Sequence, residues 1–372
     1  MSQPSEKTAT TRIWDIFVRM FHWSLVAGIG VAAWTGFIIG PRALDIHVWI
    51  GSLAGALVFL RLIWGFTGGT FARFSSFLTG PRQTIHHLRE LADKTAPRHL
   101  GHNPLGGWMV LALLGVIAGL AATGAYVLGG TFHAGPLAGW VSTSSGMGLR
   151  ELHEVLAILL LVFIAFHLAG VIFESYRTRE NLARAMVTGS KEMRSGDEPQ
   201  TRLAARPLAF VLTGVFGLGL AVFSGLSMSH RTPPNAPVSV VGTTYEANCT
   251  DCHMAYHPSL LPASSWVQIM ATLDDHFGED AWLPPDTVTE ISAWLGAHSG
   301  EATDSKPALV FSQLNSARPM EITETPFWKR THAHLPEDMF TTPPVYARGN
   351  CAACHEDTKT GWFYPPNIHL PE

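Results

Sequence analysis

Basic charge is what the last third of this chain lacks. Residues 231–372 hold 7 Lys and Arg against 17 Asp and Glu, whereas residues 1–230 hold 18 against 12. That sign argues against a nucleic-acid partner, because binding phosphate needs Lys and Arg, and an acidic surface instead steers toward a basic protein. The same stretch lacks any apolar run of membrane-spanning length and reads as water-soluble. The chain does not open with the order of a cleaved export signal, so the first long apolar segment is expected to direct export itself. Cysteine is scarce: Cys249, Cys252, Cys351 and Cys354 form two CxxC pairs, with none left over for a further bridge or reactive thiol.

What the first 226 residues do have is long apolar runs. A chain of 372 residues is expected to hold at least two domains, and the composition divides accordingly. Residues 16–39, 47–66, 104–128, 152–173 and 207–226 each satisfy the length and apolarity of a transmembrane helix. Buried helices of a soluble core are the rival explanation, but such helices rarely stay apolar on every face for so long. The N-terminal stretch, residues 67–103 and residues 174–206 together hold 14 Lys and Arg, including Lys7 and Arg202, while the other two short loops hold only Arg42 and Arg150. The basic side faces the cytoplasm, which puts the N-terminus inside and everything after the fifth span outside. Asn103 as N-cap and Pro104 in the first turn start the third span, and Pro207 opens the fifth. Three prolines in residues 231–241 read as a short extended linker.

Both cysteine pairs continue into histidine, as Cys249-Thr-Asp-Cys252-His253 and Cys351-Ala-Ala-Cys354-His355. CxxCH is the signature of covalent haem attachment: two thiols on one turn reach the two vinyl groups of a porphyrin, and the adjacent imidazole supplies an axial nitrogen. A two-knuckle zinc site or a pair of redox dithiols would need neither histidine. Each iron then needs a sixth ligand or an open position. Candidates in the tail are His257, His276, His298, His332, His334 and His369, with Met254, Met270, Met320 and Met339. Residues 266–278 look like an amphipathic helix presenting His276, and Trp328 and His332 share a helical face four residues apart.

Ionisable side chains within membrane spans call for a function. Four histidines stand at span positions: His22, His47, His153 and His167. His153 and His167 are fourteen residues apart on one span, which is about 21 Å of rise and nearly whole turns, so both point to one face at different depths. By depth His22 matches His167 near the inner side, and His47 matches His153 near the outer side. Each pair can hold one iron between helices, as two b-type haems require. His86, His87, His99 and His102 fall in the inner loop, where a solvated face is expected, with His102 the one placed to meet a haem propionate or a quinone.

These residues carry a resemblance. Residues 12–191 resemble the bacterial cytochrome b561 family, which includes the cytochrome b subunits of nickel-iron hydrogenase and formate dehydrogenase, through Arg12-Ile-Trp-Asp15, Arg19-Met-Phe-His-Trp23, Arg61-Leu-Ile-Trp-Gly65, Gly101-His-Asn-Pro-Leu-Gly-Gly107, Leu152-His-Glu154 and Asn181-Leu-Ala-Arg-Ala-Met186. The resemblance implies a four-helix membrane bundle with two b haems, held by His22 and His167 and by His47 and His153. It also implies electron exchange between a quinone, ubiquinone or menaquinone, and a partner redox protein. Residues 245–371 resemble the bacterial dihaem cytochrome c family through Cys252-His-Met-Ala-Tyr256, Leu260-Leu-Pro262, His276-Phe-Gly-Glu279, Thr325-Pro326 with Trp328 and His332, and Asn350-Cys-Ala-Ala-Cys-His355. That likeness implies His276 as partner of His253, and His332 as partner of His355. His257 departs from it, since proline is expected there, and adds a competing ligand.

The expected architecture is therefore all-α: a transmembrane dihaem b domain in residues 1–191, a fifth tethering span and linker in 192–244, and a small, loop-rich, mostly helical dihaem c domain in 245–372. The expected setting is the bacterial inner membrane with the c domain periplasmic. Electrons would run from the quinol pool through two b and two c haems to a periplasmic acceptor. A rival role is superoxide oxidation with quinone reduction, for which a basic funnel over the outer pair would be the mark.

Overall fold

The computed structural model describes residues 10–194, 197, 203–229, 233, 235–312 and 321–371. Lys7, Arg202, Met320 and, of the linker prolines, Pro234 lie outside them. The chain forms two compact units, Met1–Gly124 with Arg150–Ser224, and Ala125–Leu149 with Gly225–Glu372.

The first unit is built on long helices. α1 spans Ile16–Ala33 and runs on through a π-turn at Trp34–Ile39. α2 spans Leu44–Thr67, α3 is the short amphipathic Pro81–Ala92, α4 spans Pro104–Thr131 and α5 spans Thr143–Thr178. α6 is Leu182–Thr188 and α7 is Pro207–Ser229. Four of them, Ile16–Ile39, Leu44–Thr67, Pro104–Thr131 and Thr143–Thr178, are long and apolar enough to cross a membrane. The fifth apolar segment is also helical, as α7.

Each start has a local cause. Asp15 caps α1 by accepting from the Val18 amide at 2.8 Å, and its second oxygen accepts from Trp64 Nε1 of α2 at 2.9 Å. Asn103 caps α4 by accepting from the Gly106 amide at 2.7 Å. α5 begins well before residue 152, because Ser142 Oγ accepts from the Ser145 amide at 3.3 Å and polar residues extend the helix to 36 residues. That is about 54 Å of rise, longer than the roughly 30 Å hydrocarbon layer.

Inside the bundle, Val58, Phe74, Phe77, Leu114, Ile117 and Leu160 form the main apolar core. Outside it, Trp49, Phe66, Phe166, Ile172, Leu208 and Phe216 are all exposed. Helices with their larger apolar side chains turned outward are stable against lipid and costly in water. The two basic segments meet at one end of this unit. Arg98 joins Glu180 and Asp197, and Arg177 donates to the Ala96 carbonyl at 2.7 Å. A short antiparallel pair, β1 (Thr10–Arg12) on β2 (Ser190–Glu192), ties the start of the described chain to the same end.

The second unit is mostly short helices and turns: α8 (Thr244–Asn248), α9 (Ala263–Ala271), α10 (Pro285–Ala297), α11 (Lys306–Phe311) and α12 (Pro326–His332). Tyr245, Leu261, Trp266, Met270, Ile291 and Leu295 form one core, with Cys249 packed against it. Trp328, Phe340 and Val345 form a second, with Cys354 packed against it. Each CxxCH turn thus has its own apolar support.

Candidate functional site

His47, in the first turns of α2, and His153, in α5, face each other with ring centroids 6.2 Å apart and planes at 71°. His47 Nδ1 lies 3.1 Å from the Ala32 carbonyl and 3.1 Å from Thr35 Oγ1. A carbonyl only accepts, so Nδ1 carries the proton and Nε2 keeps its lone pair. His153 Nδ1 lies 2.9 Å from Thr123 Oγ1. At greater separation from that pair along α5, His167 interacts electrostatically with His22 of α1, whose Nδ1 is buried without a partner.

The C-terminal unit repeats the arrangement twice. His253 and His276 have centroids 6.1 Å apart at 39°, and His332 and His355 have centroids 6.3 Å apart at 67°. Two imidazoles on opposite sides of one metal, each bond about 2 Å, hold their centroids about 6.3 Å apart. All three measured pairs fit that separation. His253 Nδ1 donates to the Met254 carbonyl at 2.8 Å, and His332 Nδ1 donates to the Trp328 carbonyl at 2.9 Å. In both rings the remaining nitrogen, Nε2, is the one left able to bind a metal, the usual arrangement of a ligating histidine.

Both cysteine pairs sit on short turns. Cys351 to Ala353 is a single 3-10 turn, closed by the His355 amide donating to the Cys351 carbonyl at 2.9 Å. Cys249 ends α8, with its amide donating to the Tyr245 carbonyl at 3.0 Å. Burial pushes the Cys249 and Cys351 thiols up to about 11, and raises Cys354 as well. Among the described residues no three His, Cys, Asp or Glu side chains cluster to hold a bare metal ion.

Several placements differ from the expectations. His276 is not on a helix: α9 stops at Ala271, and His276 sits at the start of a tight turn in which Phe277 (φ 56°) and Gly278 (φ 92°) are both left-handed. The His276 amide donates to the Glu279 carbonyl at 2.8 Å and the Glu279 amide returns the bond at 3.2 Å, the pairing of a two-residue hairpin turn. The run Leu273-Asp-Asp-His276 carried on the apolar spacing of α9 and hid its end.

His257 is not a competitor for iron. It is wholly buried, with Nδ1 2.7 Å from Ser259 Oγ and Nε2 2.9 Å from the Val238 carbonyl, so both nitrogens are used. Burial first, then the nearby His298, hold it down to about 4, against the Val238 hydrogen bond. His298 Nδ1 donates to the Trp294 carbonyl at 2.7 Å and its ring lies against Trp294 with centroids 4.7 Å apart, His334 is exposed, and exposed His369 lies 3.5 Å from Glu356. Met270 is buried in the first core, and Met339 packs against the second.

The inner-loop histidines are not all solvated. His86 is exposed and pairs with Glu90, but His87 is only 2 % exposed and its ring meets His99 at 5.3 Å. His102 is held between Trp14 at 4.8 Å and Phe77 at 4.6 Å, and burial pushes it down to about 3. Nearby, the α2 guanidinium of Arg61 is 3 % exposed; one nitrogen donates to the Ala72 carbonyl at 3.1 Å, and Nη1 is buried without a partner. An open groove of about 350 Å³ is lined by Ile16, Arg19, Met20, Trp23 and Ser24 together with Val187 of α6. The residues that sequence reasoning missed are Thr35 and Thr123; the available signal was a threonine within a span otherwise rich in aliphatic side chains.

Four long apolar helices mark a multi-pass membrane protein with an appended mostly helical domain, and comparison with known proteins gives the families. Residues 13–189 match the family model for prokaryotic cytochrome b561, and residues 245–363 match that for dihaem cytochrome c. The chain is 22 % identical over 209 residues to a probable Ni/Fe-hydrogenase B-type cytochrome subunit of Rhizobium leguminosarum bv. viciae, covering 48 % of this chain and 87 % of that protein. It is 26 % identical to the corresponding protein of Azotobacter vinelandii, covering 49 % and 89 %. Among solved structures, the diheme cytochrome c from Rhodobacter sphaeroides is 35 % identical, covering 34 % of this chain and 99 % of that one, with a TM-score of 0.30. The N-terminal half thus matches the cytochrome b561 family and the C-terminal third matches the dihaem cytochrome c family. It is a mostly helical membrane electron-transfer protein of the b-haem and c-haem type.

Proposed function

We propose that this chain takes electrons from a membrane quinol and delivers them to an acceptor outside the membrane, as a quinol:cytochrome oxidoreductase, with two b and two c haems supplying the one-electron chemistry. The observation that carries this reading is the set of three imidazole pairs at 6.1, 6.2 and 6.3 Å, each the separation of two ligands on one iron. In this reading the domains are residues 1–191, 192–244 and 245–372, with the fifth helix as a membrane tether.

His47 and His153 hold one b site, and His22 and His167 the other. Cys249 and Cys252 would anchor the first c haem, with His253 and His276 as the residues that would hold its iron. Cys351 and Cys354 would anchor the second, with His355 and His332. Arg61 brings a buried, incompletely paired positive charge to the His102 end of the bundle, where it would offset a propionate. The groove between α1 and Val187 is of the size of small-molecule pockets and supports quinol access on that face of α1. The basic end, with Arg98, Arg177 and Arg194, faces the cytoplasm of the bacterial inner membrane. The acidic C-terminal third lies in the periplasm and favours a basic haem-protein partner, as donor or acceptor.

The test is to reconstitute the purified protein in liposomes, mix it with ubiquinol or menaquinol, and record b and c absorbance separately. Reduction of b followed by c is expected. Pigment inert to both quinols but reduced by superoxide would overturn the reading in favour of superoxide oxidation. The outer basic residues give that alternative little support, because exposed Arg150 is tied to Glu154 at 2.9 Å.

A further inference from the structure

The His47 and His153 rings are held from behind by one device used twice. On α1, Thr35 Oγ1 lies 2.9 Å from the Val31 carbonyl and 3.1 Å from His47 Nδ1. On α4, Thr123 Oγ1 lies 2.8 Å from the Gly119 carbonyl and 2.9 Å from His153 Nδ1. A hydroxyl has one proton and a carbonyl can only accept, so each threonine gives its proton to its own helix. Each Oγ1 is then left to accept from the imidazole N–H. Both rings are fixed in the tautomer with a bare Nε2.

A glycine follows in both places and clears space for the ring. A methyl group on Gly36 would stand 3.2 Å from His47 Cε1, and one on Gly124 would stand 3.4 Å from His153 Cε1. Thr35 and Thr123 are 3 % and 8 % exposed, so neither hydroxyl has a solvent role. On each helix the threonine sets the ring's rotation and the glycine lets the ring approach.

We propose that Thr35-Gly36 and Thr123-Gly124 are paired positioning devices that set the orientation and electron-donating strength of His47 and His153. The proposal rests on reading this pair as axial ligands of a b-type haem. An imidazole N–H given to an acceptor makes the opposite nitrogen a stronger donor, which favours the ferric state. Removing the acceptor therefore raises the potential. The Ala32 carbonyl at His47 and the Leu120 carbonyl at His153 remain as second acceptors, so the shift is partial at both rings.

The experiment is a redox titration of the full-length, pigment-bearing protein with Thr35→Val and Thr123→Val, together with EPR of the ferric form. Each variant is expected to change the reduced-to-oxidised ratio of one b component by roughly threefold to tenfold at fixed potential, at about 59 mV per tenfold for one electron. The EPR anisotropy of that component should change with it, because the 71° angle between the rings is no longer held. Thr35→Ser and Thr123→Ser should restore both, with unchanged c absorbance serving as the folding control. Wild-type-like potential and lineshape in both valine variants would overturn the proposal and leave the ligand reading standing. Loss of neither b component in His47→Ala and His153→Ala would remove the ligand reading and the proposal together.

Discussion

Acid should destabilise the C-terminal domain through His257, and the size of the effect follows from its environment. The ring is wholly enclosed and its pKa is held near 4, against an ordinary value of 6.5. Between those values the unfolded chain binds a proton that the folded chain refuses, so stability is fully present above pH 6.5 and falls as the pH drops toward 4. Linkage gives a loss of about 2 kcal/mol at pH 5 relative to pH 7, worth roughly 8 °C in Tm for a domain of this size. The assay is thermal unfolding of the pigment-bearing protein in detergent at pH 7 and pH 5, followed by near-ultraviolet circular dichroism, for the wild type and His257→Gln. The variant should lose much of the acid sensitivity while keeping the low-spin c spectrum intact. A changed c spectrum in His257→Gln would refute the reasoning, because it would make His257 a ligand rather than a core residue. Equal acid sensitivity in the two proteins would refute it as well.

Three further outcomes follow from the same geometry. Replacing His276 or His332 by alanine should convert one c component each from low to high spin and leave the other and both b components unchanged, read by absorbance and EPR; no change in either variant would remove these residues from the ligand set. Gly361→Ala should destabilise the domain by more than about 1 kcal/mol, because Gly361 has φ 76° and its Cβ would fall 2.4 Å from His257 Cε1; denaturant midpoints check it. Trp328→Ala removes a buried ring stacked 4.3 Å from His332 and should cost about 3–5 kcal/mol, while also broadening the EPR signal of the second c component.

Much of this was legible along the chain because it depends on covalent spacing or helical period. CxxCH places two thiols and an imidazole on one turn whatever surrounds it. Likewise, fourteen residues on a continuous helix put His153 and His167 on one face. Apolar runs of about 20 residues announce membrane helices, since lipid leaves backbone groups no partner but their own chain.

Other features had no local signature. Only packing shows that His257 is enclosed by Ser259 and the Val238 carbonyl instead of reaching a metal. Only the turn at Phe277 and Gly278 shows that His276 is presented by a hairpin. His87 and His102, polar residues in a basic loop, are shielded because Trp14, Phe77 and His99 come from distant parts of the chain to cover them. Thr35 and Thr123 are ordinary span residues until neighbouring helices bring His47 and His153 against them. What depends on a residue's neighbours in sequence is written in the chain, whereas what depends on a neighbour from another helix exists only once the helices have packed.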